Sequence, residues 1–322
     1  MKFLLASIIF AFSVTGAFAQ TDAFKVPDWL EFVEEIRIPN DQFSGIISDL
    51  SIDQAGNVLF NANSTPYLFS RRLNQLIKLD PEGCRPGAVP ILPNSWFTPD
   101  GEIVANFGTS YFWFNLSGRC VHYVIDKTMI AQYTAAMPGR NMVFVRNVTE
   151  PYTIERMDVT GNVILSAEVE KLPLSNLAYR SAGGGVTSSG GRYFWVNSIT
   201  NTVVAFDSKF KTVWRKAIGL EGIPFFTEDI TEQERADMSY IPRIIREAQN
   251  KASILSLYAV DRNSLLMHAR VKDVDYFQLF DHDGNAQKLL TTSGYLRHNP
   301  NSRLFFRREN DDELIVYVYR MK

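Results

Sequence analysis

Two short patterns recur along this chain, and together they restrict it to one kind of architecture. The first is a polar turn followed at once by an apolar strand, and it occurs six times. Asp53-Gln54-Ala55-Gly56-Asn57 precedes Val58-Leu59-Phe60, and Pro99-Asp100-Gly101-Glu102 precedes Ile103-Val104-Ala105. Pro138-Gly139-Arg140-Asn141 leads into Met142-Val143-Phe144, and Ser189-Gly190-Gly191-Arg192 into Tyr193-Phe194-Trp195. Asp261-Arg262-Asn263-Ser264 and Pro300-Asn301-Ser302-Arg303 open the last two. The second pattern, an apolar residue, then Asp or Asn, then a turn, occurs five times. It reads Leu79-Asp80-Pro81-Glu82-Gly83, Phe114-Asn115-Leu116-Ser117-Gly118, Met157-Asp158-Val159-Thr160-Gly161, Phe206-Asp207-Ser208-Lys209 and Phe280-Asp281-His282-Asp283-Gly284.

Strand pairs repeating at this interval indicate a propeller, whose blades are four-stranded antiparallel meanders. The first pattern fits the turn between strands one and two, the second the turn between strands three and four. Gly and Asn recur because tight turns need positive φ. The expectation is an all-β, six-bladed β-propeller with blades near 45–92, 96–127, 130–170, 180–218, 253–291 and 294–319. The sixth blade lacks the second turn and a fourth strand, and Phe32 to Ile38 is a spare strand available to close it. Between blades four and five, about 224–251, the chain reads as a helical insertion. Thr231-Glu232-Gln233-Glu234 is a capping box, and Met238, Ile241, Ile244, Ile245 and Ala248 follow at near-helical spacing.

Residues 1–19 read as a signal peptide, with Lys2, an apolar run and Ala17-Phe18-Ala19, leaving 20–322 as a single propeller domain in the periplasm or outside the cell. A formal charge of −2 carries no footprint for nucleic acid, and no further apolar run is long enough to span a membrane. The cysteines, Cys84 and Cys120, each follow a second-pattern turn in successive repeats. That places them at near-equivalent positions on neighbouring blades, where a disulfide and two buried thiols both fit.

These turns and strands resemble the six-bladed propellers of the NHL-repeat and TolB-like kind, among them exported bacterial proteins. The resemblance implies a fold that hosts binding modules and enzymes alike, so function rests on a site. Lactonase-type relatives hold a divalent ion with carboxylate and Asn ligands. Asn61, Asn106, Asn147 and Asn197 fall near second-strand ends, but only Glu309 offers an acidic partner. The four His have no metal-ligand spacing, and Asp281-His282-Asp283-Gly284-Asn285 is better explained as a hairpin turn than as a calcium loop. No cofactor motif is present.

Second-strand ends in register give the candidate ligand-binding residues Asn61, Asn106, Arg146, Asn197, Arg270 and Arg307, with Tyr240 of the insertion above them. Amides and guanidiniums converging at one channel mouth suit a small anionic or carbohydrate ligand, or a protein. Trp96, Tyr111 and Trp113 are candidates for stacking surface. The expectation is an exported binding propeller, without a catalytic constellation. The alternative is a hydrolase or lyase using a divalent metal ion at the same mouth.

Overall fold

The computed structural model describes residues 24–322 except 89–90, 127–132, 147–151, 171–183, 198–201, 219, 221–230, 232, 234–251, 273, 294–295, 300–301 and 311–312. After β1 (Leu30–Pro39), blade one comprises β2 (Ile47–Ile52), β3 (Val58–Ala62), β4 (Thr65–Ser70) and β5 (Gln75–Lys78). Blade two is β6 (Asn94–Phe97), β7 (Ile103–Phe107), β8 (Ser110–Phe114) and β9 (Cys120–Ile125). Blade three is β10 (Tyr133–Met137), β11 (Asn141–Arg146), β12 (Tyr152–Met157) and β13 (Val163–Glu170). Blade four is β14 (Gly184–Ser189), β15 (Arg192–Asn197), β16 (Thr202–Phe206) and β17 (Thr212–Ala217). Blade five is β18 (Ser253–Ala259), β19 (Ser264–Val271), β20 (Val274–Asp281) and β21 (Ala286–Ser293). Blade six holds β22 (Arg297–His298), β23 (Leu304–Asn310) and β24 (Glu313–Met321), with β1 as its outermost strand. β1 runs antiparallel to β24 from Leu30 opposite Met321 to Pro39 opposite Glu313.

The core sits between blades rather than within one layer. Each apolar cluster is shared by two neighbouring sheets, such as Val104, Tyr111 and Trp113 of blade two with Met142, Phe144 and Met157 of blade three. The cluster between blades six and one contains Ile36 and Ile38 of β1 together with Ile47, Phe60, Phe306 and Val316. Each such fully buried side chain contributes about 1.5–3 kcal/mol relative to exposure. Central strands are therefore apolar on both faces, as in β3, whose Val58-Leu59-Phe60-Asn61-Ala62 is buried throughout.

The repeated turns work by local hydrogen bonding. Asp281 Oδ1 accepts the backbone N–H of Asp283 (2.9 Å) and of Asn285 (2.8 Å), and Asp207 does the same for Lys209 and Lys211. Asn115 and Asp158 repeat the arrangement, and Asp53 supplies it in the first turn of blade one. The Thr160 hydroxyl and then the Asn162 N–H hold the Asp158 carboxylate below the usual range, and backbone donors, Lys211 and Asn285 foremost, do so for Asp207 and Asp281. The fourth turn residue takes positive φ, as Gly161 does at 85°. In blade four that place belongs to Phe210, at φ 60°, whose ring is buried edge-on against Tyr193 at 4.7 Å. Burial of an aromatic ring there offsets a backbone cost of about 1–2 kcal/mol.

One motif lies elsewhere than its residues suggest. In blade one Arg71–Asn74 joins strands three and four, and Leu79-Asp80-Pro81-Glu82-Gly83 comes after the fourth strand. There Asp80 accepts the Glu82 N–H at 2.9 Å and caps a 3-10 turn, Pro81–Gly83. An Asp that caps the next two residues satisfies the same local geometry in a hairpin or a short helix, so the pattern alone does not separate them. The displacement carries Cys84 off the equivalent position and beside β9 of blade two. Cys84 and Cys120 form a disulfide with Cα atoms 5.6 Å apart. The helical insertion expected at about 224–251, Tyr240 included, lies outside the described residues apart from Thr231 and Gln233, as do residues 1–19. Among the described residues no helix is long and apolar enough to cross a membrane.

Candidate binding site

Meander topology gives the ring two unlike ends. The turns joining strands one to two and three to four lie at one, the turn end. Loops from strand two to three and the blade-to-blade connections lie at the other, the linking end. Innermost strands, which edge the axial channel, differ from blade to blade: β18 and β6 carry Leu257, Tyr258, Trp96 and Phe97, whereas others hold runs of small residues. β14 contributes Gly184, Gly185, Thr187, Ser188 and Ser189, β10 Thr134, Ala135 and Ala136, and β2 Ser48 and Ser51. A Cβ on Gly185 would lie 2.6 Å from the backbone nitrogen of Leu257, so β14 and β18 approach backbone to backbone there. Hydroxyls on β2, β10 and β14 give this wall a polar share.

The second-strand residues singled out from sequence all lie toward the linking end, and the blades use most of them. Asn61 is fully buried; its amide donates to the Pro93 carbonyl at 2.7 Å and its oxygen accepts from Ser95 Oγ at 2.9 Å, tying blade one to blade two. Asn106 accepts from Asn94 Nδ2 at 3.1 Å and remains half-buried. Arg146 is buried between two carboxylates, Asp126 at 2.6 Å and Glu155 at 2.5 Å. Arg270 donates from Nε to Asp275 at 2.6 Å. Arg307 pairs with Glu309, and its guanidinium stacks between Phe24 (4.9 Å) and Tyr317 (4.8 Å). Asn197 closes β15, opposite Gly184 and Thr202. Of the proposed stacking residues, Tyr111 and Trp113 are core: they are buried between blades two and three, and burial pushes the Tyr111 hydroxyl up to about 12. Their β8 side chains face a neighbouring blade, which position in sequence does not reveal. Trp96, on β6, is half-buried and packs against that core.

A second group is centred on Asp275, a fully buried carboxylate on β20. It accepts from His268 Nε2 at 2.8 Å, from Arg270, and from the Leu296 backbone N–H at 3.0 Å. Burial acts to raise its pKa, but the hydrogen bonds and charges of His268 and Arg270 outweigh that and hold it low. Burial drives His268 the other way, toward the neutral ring, which stacks on Phe277 at 4.4 Å. A neutral His268 therefore donates an Nε2–H hydrogen bond to an ionised Asp275.

Further charged groups come together between blades six and one, Asp49 and Arg297 on the innermost strands and Arg308 on β23. Asp49 lies at a bulge in β2 with φ 46°. Burial raises its carboxyl, against the opposing pull of Arg297, Asn61 and Arg308. Arg308 donates to the Ile47 carbonyl, and burial followed by repulsion from Arg297 lowers its pKa. Arg297, on β22, is exposed. Placing Asp49 and Arg297 beside Arg308 required the blade order and the strand register.

No protein-family model matches the chain, and no curated protein matches it in sequence. Solved structures do match in shape. A member of the DUF4221 family from Bacteroides vulgatus superposes with a TM-score of 0.62 at 11% identity, covering 91% of this chain and 98% of that one. A Bacteroides fragilis protein described as a candidate exported protein gives 0.59 at 11% identity, covering 94% and 98%. A streptogramin B lyase gives 0.52 at 9% identity, covering 91% and 89%. At these identities the likeness establishes the six-bladed propeller fold alone.

Proposed function

We propose that this chain is an exported binding propeller of the NHL-repeat or TolB-like kind, which takes an anionic or carbohydrate ligand at the linking end of its channel. The observation that carries the reading is the contrast between strands. Middle strands are apolar and buried, whereas the innermost strands of blades one, four and six place Ser48, Asp49, Ser51, Gly184, Gly185, Thr187, Ser188, Ser189 and Arg297 along the channel edge. Such a wall leaves room and supplies donors and acceptors, as a ligand site requires. Asn61, Asn106, Arg146, Asn197, Arg270 and Arg307 frame the mouth, and Tyr240 belongs to the segment expected above it. The Cys84–Cys120 bridge suits an oxidising compartment, supporting the reading of residues 1–19 as an export signal. Intact mass of exported protein should show a chain beginning at Gln20.

Thermal-shift titration of purified protein with acidic and neutral sugars and small carboxylates tests the binding role. A saturable stabilisation by at least one class is expected. Stoichiometric divalent metal in protein purified without chelator, together with turnover of a lactone or ester, would instead support a metal-dependent hydrolase or lyase.

A further inference from the structure

Blades six and one bring two guanidiniums and one carboxylate to the channel wall, and the packing of the ring accounts for only part of them. Arg297 opposes Phe306 across β22 and β23, so both side chains leave the sheet on the same face. Phe306 belongs to the core shared with blade one, and Arg308, two residues along, shares its face. Arg308 reaches across to the Ile47 carbonyl of β2. Asp49, also on β2, is held by Asn61 Nδ2 at 3.5 Å. Arg297 is exposed and makes no hydrogen bond or ion pair with any described residue. It is nevertheless close enough to Arg308 and Asp49 to act on the charge of both.

Among the described residues, two guanidiniums and one carboxylate give this corner a positive excess. Arg297 is attracted to Asp49 and repelled by Arg308, and among the described residues it closes no hydrogen bond or ion pair. A bound anion would supply what is missing, since a guanidinium fork offers two parallel donors to a carboxylate. Asp49, an acceptor beside that fork, has no cationic partner within ion-pair distance among the described residues and would reject a bare dianion. It would accept a hydrogen bond from a ligand hydroxyl.

We infer that the channel wall between blades six and one is a binding site for a small hydroxycarboxylate, with Arg297 and Arg308 taking the carboxylate and Asp49 the neighbouring hydroxyl. This rests on the linking-end reading above and narrows it to one corner and one ligand class.

Citrate and tricarballylate, which differ by one hydroxyl, are the probes, followed by calorimetry and thermal shift on the full mature chain. Wild-type protein should bind citrate more tightly than tricarballylate, and added salt should weaken both. Arg297→Ala should weaken citrate by about tenfold or more, as expected for loss of a charge-assisted pair. Its melting temperature without ligand should be unchanged or higher. Arg297→Lys should restore part of the affinity, and Asp49→Asn should erase the preference for citrate. Arg303→Ala, at the turn end beside Asp261, should bind as wild type. The inference is overturned by absence of citrate binding, by unaltered affinity in Arg297→Ala, or by a lower ligand-free melting temperature in that variant. Binding lost in Arg270→Ala but kept in Arg297→Ala would retain the linking-end reading and discard this site. Binding lost only in Arg303→Ala would discard both.

Discussion

The two ends of the ring solve the same problem, satisfying polar groups at strand ends, by opposite means. At the turn end Asp158 and Asp207, like Asn115 and Asp281, bond to peptide groups two and four residues ahead, so these exposed turns satisfy their own shape locally, even where neighbouring turns such as those of Asp100 and Gly139 also touch. At the linking end the polar groups are buried, and their partners come from other strands and other blades. Asp126, Arg146 and Glu155 form one such group, and Asp275 with His268, Arg270 and the Leu296 N–H another. A turn closed on its own Asp or Asn specifies its shape from five consecutive residues. A group assembled across blades holds those blades in register and fixes the channel mouth between them.

Substitution breaks or sharpens this contrast. The largest effect is expected from Asp275→Ala, which strips three donors of their buried acceptor and should cost about 3–5 kcal/mol in urea unfolding. Asp207→Ala, at an exposed turn, should move the same transition far less, and equal losses would erase the distinction between ends. Reduction of Cys84–Cys120, which closes a separation of 36 residues, should cost about 3–4 kcal/mol by the loop-entropy relation, read as a drop in melting temperature.

Gly185→Ala comes next. The new Cβ would meet backbone of β18 at 2.6 Å, which cannot rotate away, and about 1–3 kcal/mol should be lost. Gly191→Ala, at the turn end with φ 77° and nothing within 4 Å, carries only the positive-φ penalty of about 1 kcal/mol. Comparable costs at the two positions would contradict close packing of the innermost strands.

Acid should expose a buried histidine. Burial pushes His298 down to about 3, from 6.5, although its Nε2 donates to the Ser302 carbonyl at 2.8 Å. The unfolded chain takes up the proton first, so this contribution is complete above 6.5 and is lost as pH falls from there toward 3. In that window His298→Gln should flatten the stability–pH curve by about 1.4 kcal/mol per pH unit. An unchanged slope would mean that His298 titrates normally.

Legibility in the sequence follows the same division. Asp158 and its amide donors lie within five consecutive residues, so the turn, its interval and the blade count could be read directly. Asp80 shows the limit, because local chemistry identifies a capping Asp without saying what it caps. The linking end was legible only as a set of positions. Asn61 bonds to a residue 32 positions away, Arg146 to one 20 away and Arg308 to one 261 away. Which of these polar residues are occupied by the fold and which face the channel is a property of packing between blades. Arg297 carries no motif and became visible only once β22 was placed on the innermost wall.

Hydrogen exchange of the mature protein, followed residue by residue with and without citrate, compares the two ends directly. The account predicts slowed exchange along β2 and β22 and in the connections at the linking end, with Asp158, Asp207 and Asp281 turns unchanged. Protection appearing instead at those turns, with the innermost strands unaffected, would contradict it.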